Sequence, residues 1–178
     1  MVKDTAYIDV DWDSIIKQIH VCFTNEHLYR GKTLDNARKL DIIGRIIATW
    51  EESKKSTPDS YFKDIFDGPW TIHEPKGEAF DLVDIVMRCF EYLPEKYQWY
   101  IPPYFAEHSK SLDAFYFDLV ETVSREDFSI GGSLDATVGK VLSYFTYKKW
   151  DFMELLNLKI GWYKSCGTEK GSTDEYVE

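Results

Sequence analysis

The chain has little that would mark it for export, for a membrane or for a cofactor. It contains no apolar run approaching the ~20 residues that a bilayer span requires, and its opening residues, MVKDTAYIDVDWD, are too acidic for a secretory leader. There is no Asn-x-Ser/Thr sequon. Cysteine is scarce: Cys22, Cys89 and Cys166 are odd in number and far apart, which excludes a disulfide framework and points to a reducing compartment. A cytoplasmic location is the expectation.

Chemistry-bearing patterns are equally thin. The four histidines, His20, His27, His73 and His108, form neither a Glu-x-x-His nor a His-Glu-x-x-His arrangement, so no zinc or di-metal centre is expected. Asp9, Asp11 and Asp13 have the alternate spacing that opens a calcium loop. However, Ser14 stands where that loop needs glycine and His20 where it needs its closing glutamate, so these aspartates are expected to cap and compensate a helix. Cys22 and His20 lie two apart and would face away from each other on a helix. Gly131-Gly132 lacks the lysine or third glycine of a phosphate loop and reads as a turn. The carboxylate pairs Asp118 with Glu121 and Asp81 with Asp84 have the spacing of solvated neighbours on a helix. No catalytic residue, metal or cofactor is expected.

What the chain does have is aromatic mass and acid. Six Trp, twelve Tyr and eleven Phe in 178 residues exclude general disorder, and this length suits one domain with a sizeable core. The net charge of −10 is uneven, because residues 74 to 127 hold 5 basic side chains against 12 acidic ones. Such a field repels nucleic-acid phosphates and anionic lipid and steers cationic partners inward.

Apolar spacing at three and four residues recurs along most of the chain, the signature of amphipathic helices. Residues 6–10 read as an extended arm. Asp11 caps a first helix with Trp12, Ile15, Ile16, Ile19, Cys22 and Phe23 on its buried face, and Thr33 a second with Leu40, Ile43, Ile47 and Trp50, broadened by Ile42 and Ile46. Thr57-Pro58 opens a short third through Tyr61, Phe62, Ile65 and Phe66, stopped by Gly68-Pro69, and Trp70 to Gly77 is a connector. The organising element is Glu78 to Leu93. At ~100° per residue its charged side chains Asp81, Asp84, Arg88 and Glu91 form one narrow stripe, and the rest is apolar, so it must be covered on several sides.

Pro94 ends that helix, and the segment PEKYQWYIPPYF (94–105) reads as a short helical turn and an extended elbow. Ser109 or Ser111 starts a helix with Leu112, Phe115, Tyr116, Leu119 and Val123. Gly131-Gly132 breaks the chain before Ser133 caps the next, and Asp151-x-x-Glu154 opens the last. The expectation is an all-α, single-domain bundle of about seven helices over residues 1–165 around a central buried helix, with a short α-solenoid as the alternative and a polar tail over 166–178.

The functional expectation is a binding surface for a cationic protein on the acidic middle of the chain. Asp81, Asp84, Glu91, Glu95 and Glu107 supply charge around the aromatic group Trp99, Tyr100 and Tyr104. In size, acidity and want of a catalytic constellation the chain resembles bacterial immunity proteins of contact-dependent and related polymorphic toxin systems. That resemblance implies occlusion of a toxin nuclease domain, no enzymatic activity, and no nucleic-acid or membrane partner. Two other readings stay open: a small helical hydrolase using His73 or His108 with nearby carboxylates, and a phage or regulatory adaptor that mimics nucleic-acid charge.

Overall fold

The computed structural model describes residues 7, 9–23, 35–92, 111–125 and 130–170 of the chain. Six helices and one hairpin occur among them, in the order α1 (Trp12–Cys22), α2 (Asp35–Ser53), β1 (Tyr61–Asp67), β2 (Trp70–Lys76), α3 (Glu78–Tyr92), α4 (Leu112–Ser124), α5 (Ile130–Lys148) and α6 (Phe152–Lys170). The fold is therefore mostly helical with a small antiparallel sheet, not all-α.

Helix starts follow local chemistry. The Asp11 carboxylate accepts from the Ser14 N–H, the Ser111 hydroxyl from the Ala114 N–H, and the Asp151 carboxylate from the Glu154 N–H, each satisfying an amide that the first turn leaves unpaired. Tyr7 docks the arm ahead of α1 by giving its carbonyl to the Trp12 indole and its ring to the edge of Phe152.

The third expected helix is instead the hairpin. Tyr61, Phe62, Ile65 and Phe66 suit a helical spacing, but Asp67-Gly68 follows them. Gly68 takes a φ of +59°, as the first central position of a tight hairpin turn allows only at low cost for glycine. β1 and β2 then pair in register from Tyr61 opposite Lys76 to Asp67 opposite Trp70. The sheet rests on the helices through Phe62, whose ring meets Phe80 at 5.7 Å, and through buried Pro75. Pro58 does not open a helix. It precedes Asp59, whose carbonyl accepts from the Ala79 N–H at 2.7 Å and closes the loop onto the start of α3.

α3 is the centre, as its composition requires: no residue from Glu78 to Tyr92 is exposed. It packs against α1, α2, α5 and α6 and against β2, while α4 covers α2 and α5, and α1 meets α6. A helix in contact with so many others, with the first and last helices also touching, is inconsistent with the solenoid alternative, whose repeats touch only their neighbours. Leu82, Val83, Ile85, Val86, Met87 and Phe90 are all fully buried.

Two further boundaries differ from expectation. α5 begins at Ile130 and passes through Gly131-Gly132, with Ser133 buried inside the helix and not capping it. The cost of about 1 kcal/mol per helical glycine is outweighed by burial of Leu134, Thr137, Val138 and Val141. α6 continues to Lys170, so Cys166 to Lys170 of the expected tail are helical.

Candidate functional site

The acidic stripe of α3 spends its charge inside the fold. Asp84 accepts from the Tyr163 hydroxyl at 2.8 Å and lies 3.8 Å from the ammonium of Lys159, a lysine almost wholly buried on α6. Glu91 takes the Arg88 guanidinium at 2.9 Å, and that guanidinium sits 4.1 Å from the centre of the Phe23 ring. Asp81 is pushed up to about 6, chiefly by burial, against the opposing pull of Lys159 and Lys76; Asp84 and Glu52 add to the rise. Burial likewise pushes the Tyr163 hydroxyl well above the phenol range, with Asp84 adding to it. Asp81, Asp84 and Glu91 thus form a seam between α3 and its neighbours, not an open acidic face. The other members of the expected surface, Glu95, Trp99, Tyr100, Tyr104 and Glu107, lie outside the described residues.

A second interior carboxylate has a similar character. Glu78 accepts from the hydroxyls of Tyr116 at 2.8 Å and Tyr144 at 3.1 Å, and the Tyr144 ring stacks on Phe115 at 4.0 Å. Burial raises the Glu78 carboxyl, while the Tyr116 hydroxyl, Lys148 and Tyr144 pull it back down.

The described residues present an open concavity elsewhere, between α2 and α4. The two helices run antiparallel and are pinned at both ends. The Lys39 ammonium donates to the Arg125 carbonyl at 2.6 Å, and the Trp50 indole donates to the Asp113 carboxylate at 2.6 Å. Ile42, Ile46 and Thr49 turn α2 into the core, as Phe115, Leu119 and Val123 turn α4. What remains above them is a groove of ≈590 Å³ lined by Ile46, Ile47, Trp50, Asp113, Tyr116, Phe117 and neighbouring small residues. Its walls are apolar and wet: Ile47 is 45% exposed and Phe117 71%. Tyr116 forms part of its lining while its hydroxyl points inward to Glu78.

Charges of both signs stand near the groove. Glu51 and Glu121 are exposed one turn beyond Ile47 and Phe117 on the same two helices. Asp113 holds the Trp50 indole, and Lys39 and Lys54 keep their positive charge while engaging the Arg125 carbonyl and the Trp50 ring, the latter 3.2 Å from its centre. Asp118, expected to pair with Glu121 in solvent, turns away to Lys140 at 2.7 Å.

No family model, curated protein or solved structure matches the chain.

His20, His73 and Cys22 have structural partners. Buried His20 donates to the Phe90 carbonyl at 2.9 Å. His73 faces Asp64 across the hairpin at 2.6 Å on an exposed strand. His27 and His108 lie outside the described residues. All three cysteines are free thiols. Cys22 donates toward the Ile160 carbonyl at 4.0 Å, and burial raises both its thiol and that of Cys89. Among the described residues no three His, Cys, Asp or Glu side chains are grouped to hold a metal ion, and no helix is long and apolar enough to cross a membrane.

The groove was only half legible. Ile47 and Trp50 stand in the spacing that reads as a buried face, and Leu40 with them; in fact Leu40 and Ile47 are exposed, and the core belongs to Ile42 and Ile46. Phe117 falls outside the apolar stripe of α4. A surplus of apolar positions on both helices, more than one face can bury, was the available signal.

Proposed function

We propose that this chain is a binding protein for a cationic protein, acting in the manner of an immunity protein that occludes a toxin domain. The observation that supports the reading is an open apolar groove between α2 and α4 on a chain of net charge −10. Desolvated apolar contacts of this kind supply affinity, and the net negative charge of the chain supplies steering and selection against acidic competitors.

The test is to recover the partner by cross-linking in the source cell and measure association at rising ionic strength. A basic partner whose association slows with salt, and whose activity is lost at one equivalent of this chain, is the expected result. An acidic partner, or an association rate indifferent to salt, would remove the basis for the reading.

A further inference from the structure

We infer that β1 is the contact through which two copies of this chain pair, antiparallel about a two-fold axis at Ile65, extending the two-stranded hairpin to a four-stranded sheet. The pairing goes beyond the proposed function and does not rest on it. It leaves the groove between α2 and α4 open, since no strand residue lines that groove.

The first ground is an unpaired ladder. The two-residue turn at Gly68-Pro69 makes Asp67 and Trp70 a hydrogen-bonded pair, and alternation along the strands makes Ile65 with Ile72, Lys63 with Glu74 and Tyr61 with Lys76 the others. Phe62, Asp64 and Phe66 therefore turn their N–H and C=O groups away from β2. Among the described residues nothing bonds those groups. β2 is no equivalent edge: it packs against α3 and α6, and Pro75, outward by the same alternation, has no N–H to give. A helix has its own main-chain groups already paired, so a row of this kind is completed by another strand. The side chains beside it are apolar and wet, with Phe66 80% and Phe62 52% exposed.

The second ground is self-complementarity, which selects a second copy as that strand. Copies of one edge related by a two-fold meet antiparallel. Centring the pair on Lys63 sets two ammonium groups opposite each other, and centring it on Asp64 sets two carboxylates opposite, both unfavourable. Centring it on Ile65 sets Ile65 against Ile65 and, on either side, Lys63 against Asp67 of the other copy. Asp64 and Phe66 of each copy then exchange main-chain hydrogen bonds with Phe66 and Asp64 of the other, and the two Phe66 rings become diagonal neighbours. The acidity of the chain does little to oppose this contact. In the hairpin Lys63 and Lys76 stand against Asp64, Asp67 and Glu74, so most of the net −10 lies elsewhere.

Sedimentation equilibrium on the full chain should show a dimer that fills as concentration rises toward about 1 mM. Each substitution counts twice across a two-fold. Phe66→Pro removes an outward donor and Ile65→Lys sets two ammonium groups on the axis, so each should weaken the dimer by about tenfold or more, while Phe117→Ser in the groove should not. Circular dichroism confirms that the variants fold. Register is read by oxidative cross-linking. Directly opposed residues of a non-hydrogen-bonded pair have Cα atoms about 4.5 Å apart, within disulfide reach, so Ile65→Cys should link two chains. Lys63→Cys, about 14 Å from its counterpart, should link no more than the wild type with its three free thiols.

A monomer throughout that range, a dimer that ignores both Phe66→Pro and Ile65→Lys, or a dimer that Phe117→Ser dissociates would each overturn the inference. So would cross-linking through Lys63→Cys or Asp64→Cys in preference to Ile65→Cys. An acidic partner recovered from the cell would defeat the proposed function and leave this pairing standing.

Discussion

Replacing Asp81 by asparagine should stabilise the protein at neutral pH. The side chain is half-buried on α3, facing Lys159 from α6, Lys76 from β2, Asp84 on its own helix and Glu52 from α2, and burial lifts its carboxyl from an ordinary 3.8 to about 6 despite the two lysines. Between those values the folded chain keeps a proton that the unfolded chain has released. This carboxyl's contribution to stability is therefore fully present below about 3.8 and is lost as pH rises through about 6. At about 1.4 kcal/mol per pH unit the shift corresponds to about 3 kcal/mol, and partial solvent access reduces this to about 1–2 kcal/mol. Asparagine keeps the shape and removes the ionisation. Urea unfolding followed by far-ultraviolet circular dichroism, run on both proteins from about pH 4 to about pH 7, should show them nearly equal at the acid end, with the variant ahead by that margin at the neutral end. Taking the difference cancels titrations the two share, Glu78 included. If the substitution destabilises at neutral pH, attraction to Lys159 and Lys76 outweighs burial and the reasoning is wrong. A difference independent of pH refutes it equally.

Three further expectations concern the same core. Gly77 has a φ of +104°, and a Cβ there would stand 2.7 Å from the Asp59 carbonyl oxygen, so Gly77→Ala should cost about 2 kcal/mol or more, read as a lowered denaturation midpoint. Tyr116→Phe leaves Glu78 with Tyr144 as its remaining hydroxyl donor and should cost about 1–3 kcal/mol. The loss should be larger at neutral than at acid pH, since the missing donor favoured the ionised carboxyl, and paired melts at two pH values check it. Val86 is fully buried, so Val86→Asp should cost several kcal/mol or abolish folding, seen as loss of the helical spectrum.

Some elements could be read from the sequence because their causes are local. Asp11, Ser111 and Asp151 each bond an amide three residues on, and α3 announces itself because a helix apolar on most sides has to be interior. The hairpin hid behind a coincidence: Tyr61, Phe62, Ile65 and Phe66 satisfy helical spacing as well as strand composition. Gly68 at the first central position of a two-residue turn between Asp67 and Trp70, a hairpin signal, was the residue-level evidence against a helix. The glycines at 131 and 132 misled in the opposite direction, because tertiary burial of the following residues overrides a weak local preference. The charged stripe of α3 was located correctly, yet its surroundings were not, since Lys159 and Tyr163 reach it from α6, far along the chain. The surplus of apolar positions on α2 and α4 was legible, but its assembly into one groove was not, because that depends on Lys39 meeting Arg125 and Trp50 meeting Asp113.

The position of α3 also sets an order of events on the ribosome. This helix is complete at Tyr92, but α6, which covers the edge bearing Asp84, begins only at Phe152. At ~5–20 residues per second the nascent chain carries an incompletely sheltered α3 for several seconds, with Asp84 lacking both Tyr163 and Lys159. α2 and the hairpin can settle against it as it emerges, and α4 and α5 follow, whereas α1 has to wait for α3 and then for α6 before both of its partners are present. A chaperone that recognises exposed apolar helix would therefore find its best substrate in chains stalled after α3 and before α5, when neither α5 nor α6 covers it.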